Sequence, residues 1–292
     1  MGYLELMALP SARDLVLSTK DLPSPPAVYL SLSRLMGSEH WNAREAAQLI
    51  GADPALASRL LRVANSPLFA GPRRIASIDQ AVVLLGENEI RSLVLATTVL
   101  DRFRDVPDDL ASADALRRRA LYCGLATAEL GTRSAAGLPP DQLFLTGLVF
   151  DIGSLVACLR LPEAVREALL AGRVPASGAG PSIECAVTGS RLALIGAELL
   201  AHWRLPESVV EPVRFSGVPW EANVQRAGAA LVHIASRLSA TLVRGADGEA
   251  VDLVPDETVT VQAGLADLSM GSVVERVQAG YESLAALIDG TG

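Results

Sequence analysis

The chain of 292 residues is half hydrophobic and only 4% aromatic, a composition that excludes intrinsic disorder and favours a core of packed aliphatic helices. Its 33 acidic residues outnumber its 25 basic residues and give a formal net charge of −8. This balance argues against a general affinity for DNA or for an anionic membrane surface.

Helix starts and stops are well marked in the first hundred residues. Asn42, with Glu45 three residues later, is typical of a capping box and predicts a helix through Ile50. Asp53 followed by Pro54 predicts a second helix, because proline is tolerated at the first helical position. A third helix should open at Ser77 with Gln80 and stop at Gly86, and a fourth should end near Phe103.

The second part of the chain is also helical in pattern. A polar segment with Pro107, at 105–114, predicts a boundary between lobes. Helices are then expected at 115–131, 162–171, 183–203 and from 205 onward, with a terminal helix at 272–288. The apolar run 143–159 is predicted to form one fully buried helix, and the Gly- and Pro-rich stretch 172–181 a loop.

The three cysteines form no C-x-x-C pair, since Cys123, Cys158 and Cys185 are far apart. A dispersed odd set is typical of free thiols in a reducing compartment. No segment resembles a signal peptide, and Asp151 interrupts the most apolar run. We therefore expect a soluble cytoplasmic protein that has no membrane partner.

Six short motifs follow one another along the chain: LPSPP at 22–26, DPAL at 53–56, ANSP at 64–67, GLVFDIG at 147–153, GAELL at 196–200 and WRLP at 203–206. In this order they resemble the HDOD domain, the "HD-related output domain" of bacterial signalling proteins. This resemblance implies an all-α fold of two packed helical lobes, the second similar to a degenerate HD-phosphohydrolase core. It divides the chain into an N-terminal extension (1–20), an N-terminal lobe (21–104), the HD-like lobe (105–216) and C-terminal helices that complete that lobe (217–292).

The resemblance also implies that the chemistry of an HD phosphohydrolase is absent. Such an enzyme needs histidines and aspartates to hold a metal ion that activates water. Its first histidine aligns with Cys123, its His-Asp pair with Phe150 and Asp151, a further histidine with Leu192, and a His-His pair with 215–216 (Phe-Ser). Only one carboxylate of this set remains. We therefore expect no catalytic residue, no metal ligand, no cofactor site and no enzymatic activity.

The remaining candidates do not restore that chemistry. Asp151 is expected to be a buried polar group bonded to backbone or to an arginine. Cys123 has no base identifiable from its spacing. The histidines His40, His202 and His233 are expected to be packing or surface residues.

The expected function is that of a non-enzymatic interaction module for a separate signalling protein. No receiver, EAL or GGDEF-like segment is recognisable, so the partner should be another chain; a homodimer and a small ligand in the remnant cleft stay open. The candidate interaction face is in the N-terminal lobe and consists of Asp53, Arg59, Arg62, Asn65, Ser66, Arg73 and Arg74.

Two alternatives remain. The helix-turn-helix-like segment 46–66 would permit DNA binding, but residues 54–92 carry five arginines against three acids, a small surplus for phosphate recognition. We therefore do not expect a nucleic acid partner. Residual metal-dependent phosphohydrolase activity would require Asp151 to act as a ligand.

Overall fold

The computed structural model describes residues 11–17, 27–38, 41–65, 75–170, 191–245, 255–266 and 268–289. These residues form helices and no strand, which confirms the all-α prediction. Short 3₁₀ turns lie at Phe103–Asp105 and Pro219–Glu221. The helices are α1 (Ala12–Leu17), α2 (Ala27–Met36), α3 (Ala43–Gly51), α4 (Pro54–Ala64), α5 (Ile78–Leu85), α6 (Glu87–Arg102), α7 (Ala113–Arg133), α8 (Pro140–Val149), α9 (Ile152–Arg160), α10 (Pro162–Leu170), α11 (Arg191–His202), α12 (Glu207–Arg214), α13 (Arg226–Gly245), α14 (Glu257–Gln262) and α15 (Met270–Asp289).

The chain divides into two compact units. The small unit comprises Pro23–Asp101 with Val274–Gly292, and the large unit comprises Met1–Leu22 with Arg102–Val273. This division differs from the sequence-based one at both ends of the chain. Helix α1, assigned above to an N-terminal extension, packs against α11 of the large unit. Most of α15, assigned above to the HD-like lobe, groups with the small unit.

The helix starts of the small unit confirm the capping predictions. The Asn42 side chain accepts a hydrogen bond from the Glu45 amide at 2.9 Å. Asp53 Oδ1 accepts bonds from two amides of the first turn of α4, each at 3.0 Å. Ser77 caps α5, and that helix ends at Gly86, whose φ of +88° favours glycine. These side chains satisfy amides that a helix start leaves without partners.

The large unit is built around α7, which packs against α8 and α13. The backbones of α7 and α8 approach closely at Gly147, where an added Cβ would lie 2.6 Å from the Cys123 carbonyl oxygen. A similar close approach joins α9 to α11, since an added Cβ at Gly153 would clash with the Leu192 carbonyl and lie 3.0 Å from the Gly196 nitrogen. The glycines of the motif at 147–153 therefore serve backbone packing.

The prediction of one helix over 143–159 is wrong. The chain forms α8 to Val149 and α9 from Ile152, with a turn at Phe150 and Asp151 between them. The turn points the Asp151 carboxylate at polar partners inside the large unit, which a continuous apolar helix would not provide. By length and composition the stretch 140–160 could cross a membrane, but 89% of its most apolar window is buried in the fold. It is therefore core.

The expected loop at 172–181, Cys185 and the start of the helix predicted at 183–203 lie outside the described residues. So do His40 and the whole N-terminal motif at 22–26.

Candidate functional site

A buried ion pair occupies the position at which the sequence resembles an HD site. Arg119, on α7, donates from Nη1 to Asp151 Oδ2 at 2.7 Å. The two side chains are only 4% and 6% exposed. A charge-assisted hydrogen bond that is shielded from water in this way is strong. Because neither side chain reaches water, removing one charge would leave the other buried without a counter-charge.

Two further contacts hold this pair in place. The Ser154 hydroxyl, one helical turn into α9, donates to Asp151 Oδ1, so both carboxylate oxygens are engaged. The guanidinium carbon of Arg119 lies 5.0 Å from the centre of the Phe150 ring, within the range of a cation–π interaction. Phe150 and Asp151, which the sequence resemblance aligns with the His-Asp pair of an HD enzyme, thus both contact the same arginine.

Cys123 lies one turn after Arg119 on α7 and is completely buried. Burial raises the pKa of its thiol far above the ordinary value, and the neighbouring Arg119 only partly opposes this. Burial and the nearby Asp151 carboxylate raise the pKa of Cys158 to about 12. A thiol must ionise to act as a nucleophile or metal ligand, so these two cysteines are inert core residues.

The other two positions that the resemblance aligns with histidines hold packing residues. Leu192 is 1% exposed and lies where α11 packs against α9. Phe215 is half-buried and Ser216 buried after α12. The Ser216 hydroxyl donates to Val213 O at 2.9 Å, and its carbonyl contacts His233 Nδ1 at 2.7 Å.

These residues do not fit the divalent ion that an HD phosphohydrolase would hold. The one remaining carboxylate, Asp151, already accepts from Arg119 and Ser154, so an ion would have to displace a buried guanidinium that supplies the positive charge itself. The neighbouring side chains Phe150 and Leu192 offer no donor atom, and Cys123 is held protonated. Among the described residues, no group of three or more His, Cys, Asp or Glu side chains could hold a metal.

Arg119 was not singled out by the sequence, although its spacing carried a signal. It lies four residues before Cys123 and eight before Thr127, so all three share one buried face of α7. The burial of Arg119 is hard to predict from the sequence, because it belongs to a run of three arginines at 117–119 and such runs usually face solvent. Asp151 bonds to an arginine, one of the two kinds of partner expected for it.

The residues of the proposed interaction face that the structure describes have structural roles. Asp53 caps α4, and the Asn65 amide group bonds to Leu61 O at 2.7 Å and to both backbone groups of Ile75 at 2.8 Å. Arg62 is half-buried. Arg59 pairs with Asp101 at 2.7 Å. Ser66, Arg73 and Arg74 lie outside the described residues, so a binding role for this face stays a prediction.

The helix-turn-helix-like segment is present as α3, a short turn and α4. Its charge is less favourable for DNA than the sequence alone indicated, because the Arg59 guanidinium is already neutralised by Asp101 and only 20% exposed. A phosphate would have to compete with this carboxylate.

Comparison with known structures defines the class of fold. A protein from Shewanella amazonensis SB2B, suggested to be a phosphohydrolase, is similar with a TM-score of 0.65 and 24% identity, over 95% of this chain and 98% of that one. A protein from Marinobacter aquaeolei VT8, suggested to act in signal transduction, is similar with a TM-score of 0.62 and 20% identity, over 92% of this chain and 59% of that one. The fold is therefore that of the HD-related helical proteins.

The family follows from the sequence itself. The model of the HDOD domain matches residues 22–219, more than half of the chain, and the chain belongs to the HDOD family. An uncharacterised protein of Treponema pallidum (strain Nichols) is 25% identical over 197 residues, which are 67% of this chain and 37% of that protein. The chain thus spans little more than a third of the length of the curated relative that it matches.

Proposed function

We propose that this HDOD chain is a non-catalytic regulatory module of bacterial signal transduction, acting in the cytoplasm by binding a separate signalling protein. The observation that carries the non-catalytic part is the buried Arg119–Asp151 pair. A fixed internal guanidinium takes the role of counter-charge for the carboxylate, and it can activate no water molecule as a metal ion would.

Two of the similar proteins have been given different suggested functions, one enzymatic and one in signalling. The Shewanella protein has been suggested to be a phosphohydrolase, and the Marinobacter protein to act in signal transduction. The chemistry of this chain favours the second, because the groups at 123, 150 and 192 are a protonated thiol, a phenyl ring and an isobutyl group.

A protein partner would find an apolar contact on α5 of the small unit. Val83 and Leu84 are adjacent and 70% and 62% exposed. Exposed aliphatic neighbours of this kind lose water when a partner covers them, which favours association. We therefore place the partner contact at the end of α5, next along the chain to the face proposed from the sequence.

The catalytic part of the proposal is tested by a hydrolysis assay. The purified chain is incubated with bis(p-nitrophenyl) phosphate and either Mn²⁺ or Mg²⁺. The expected rate equals that of the metal alone, because no group of side chains among the described residues can hold the ion against substrate. Metal-dependent turnover that scales with protein and is lost in Asp151→Asn would overturn it.

The binding part is tested by a photo-crosslinking residue placed at Leu84 in the producing bacterium. We expect one specific crosslinked protein, which then binds the purified chain at an equimolar ratio, and a Leu84→Asp variant that binds at least about tenfold more weakly, the loss of roughly 1.4 kcal/mol. Gln48, exposed on α3, provides the matched crosslinking site and the matched Gln48→Asp variant. Equal crosslinking from both sites, or equal binding by both variants, would contradict the proposed contact.

A further inference from the structure

A cavity lies in the large unit, and its lining residues differ from those of the Arg119–Asp151 site. Its volume is about 460 Å³, within the range of pockets that hold small organic ligands. It is open on one side, between the segment after α12, the middle of α13 and the start of α14. The described residues that line it include Gly217, Trp220, His233, Arg237, Asp256 and Val259.

The protonation of His233 follows from its hydrogen bond. Its Nδ1 lies 2.7 Å from the Ser216 carbonyl oxygen, which can only accept, so Nδ1 carries the proton. Burial lowers the pKa of His233 below its usual range, and the nearby Arg237 adds to this. The ring is therefore neutral at pH 7, and Nε2 is left as an acceptor that has no hydrogen-bond partner among the described residues.

Two opposite charges stand beside this imidazole. The Asp256 carboxylate caps α14 through Oδ1, which accepts from Thr258 N at 2.8 Å, and the Asp256 side chain lines the cavity. The exposed Arg237 guanidinium forms no ion pair within the described part of the chain. It presents a planar set of donors that matches a phosphate or carboxylate. The cavity thus combines two acceptors with one unpaired cation.

An aromatic surface completes the set. The Trp220 indole is 56% exposed, although a buried position would be worth more to so large an apolar group. Its segment is held in place by Gln262, whose amide donates to Pro219 O at 2.6 Å and to Arg226 O at 3.0 Å. An exposed indole on a held backbone segment that lines a cavity is suited to stack on a planar ring.

We propose that this cavity binds a nucleoside monophosphate whose base carries N–H donors, as guanine does. The base stacks on Trp220 and donates to His233 Nε2 and Asp256, while the phosphate pairs with Arg237. The site is independent of the function proposed above, since binding to the purified chain requires neither a partner protein nor the absence of catalysis.

Calorimetric titration of the purified chain with GMP tests this. We expect one site per chain, and at least tenfold weaker binding of both guanosine, which lacks the anion, and inorganic phosphate, which lacks the ring. The Arg237→Gln variant should bind GMP at least tenfold more weakly. Arg226→Gln, an exposed arginine of the same helix that does not line the cavity, should bind like the parent.

Quenching of tryptophan fluorescence by GMP, lost in Trp220→Phe, would place the base on the indole. Absence of GMP binding at millimolar concentration would overturn the proposal. So would equal binding of inorganic phosphate, which would reduce the site to an anion contact, or equal weakening by the two arginine variants, which would indicate non-specific attraction.

Discussion

The buried Arg119–Asp151 pair predicts that replacing one partner destabilises the fold far more than replacing both. Asp151→Leu leaves a guanidinium in the core with no anion, and Arg119→Met leaves a carboxylate whose one remaining side-chain donor among the described residues is the Ser154 hydroxyl. Removing one member of a buried pair typically costs about 3–5 kcal/mol. This is a large fraction of the roughly 5–15 kcal/mol that holds a domain folded. Either single variant should therefore lower the free energy of unfolding of the large unit severely.

The double variant Arg119→Met/Asp151→Leu should behave differently, because it removes both charges and leaves apolar side chains in an apolar setting. Such replacements are commonly neutral or even stabilising. The expected coupling between the two sites is thus of the same order as the single losses, several kcal/mol. It would exceed what an exposed pair provides.

Guanidinium chloride unfolding, followed by the helical circular dichroism signal, measures all four members of this cycle. Arg166→Met serves as the control, since the Arg166–Asp109 pair is 44% and 57% exposed and its loss should produce no resolvable change. If the double variant loses the sum of the two single losses, the side chains are not coupled and the reasoning is refuted.

Three further predictions concern packing, thiol reactivity and pH. Gly153→Ala should destabilise the large unit by about 1–3 kcal/mol in chemical unfolding, because its methyl group would press on the carbonyl of the facing helix. Cys123 and Cys158 should not react with Ellman's reagent in the native chain and should react on unfolding, since burial raises both thiol pKa values. Because burial lowers the pKa of His233 in the folded state, the unfolded chain binds the extra proton below pH 6.5. Stability should therefore fall as the pH drops from 6.5 towards that lowered pKa, and His233→Asn should reduce this slope when unfolding is measured across the range.

Each of these has a clear opposing result. Wild-type stability in Gly153→Ala would mean that α9 and α11 can separate at no cost. Rapid native labelling of Cys123 or Cys158, located by mass spectrometry, would show that the α7 core opens readily. An unchanged pH slope in His233→Asn would assign the pH response to other groups.

The parts of the fold that the sequence predicted are those governed by local geometry. Asn42, Asp53 and Ser77 cap helices through bonds to amides only two or three residues away, so the short motif contains both partners. The break at Phe150–Asp151 was missed because its cause is distant. The carboxylate is held by Arg119, 32 positions earlier in the chain, and apolar periodicity carries no information about such a partner.

The candidate sites show the same limit. The absence of histidine at 123, 150 and 192 could be found by alignment of motifs, because it concerns residue identity alone. The cavity around His233 could not, because Trp220, Arg237 and Asp256 come from three separate segments and none belongs to a recognisable motif. The sequence placed His233 among packing or surface residues, and only the fold brings its side chain to the lining of an open cavity.

We propose that an internal arginine, Arg119, stands where an HD phosphohydrolase would hold its metal ion. Elemental analysis of the purified chain, before and after incubation with excess Mn²⁺, Fe²⁺ and Zn²⁺ and desalting, tests this most directly. We expect a substoichiometric metal content that is the same in the parent and in Asp151→Asn. One tightly held metal ion per chain that disappears in Asp151→Asn would contradict it.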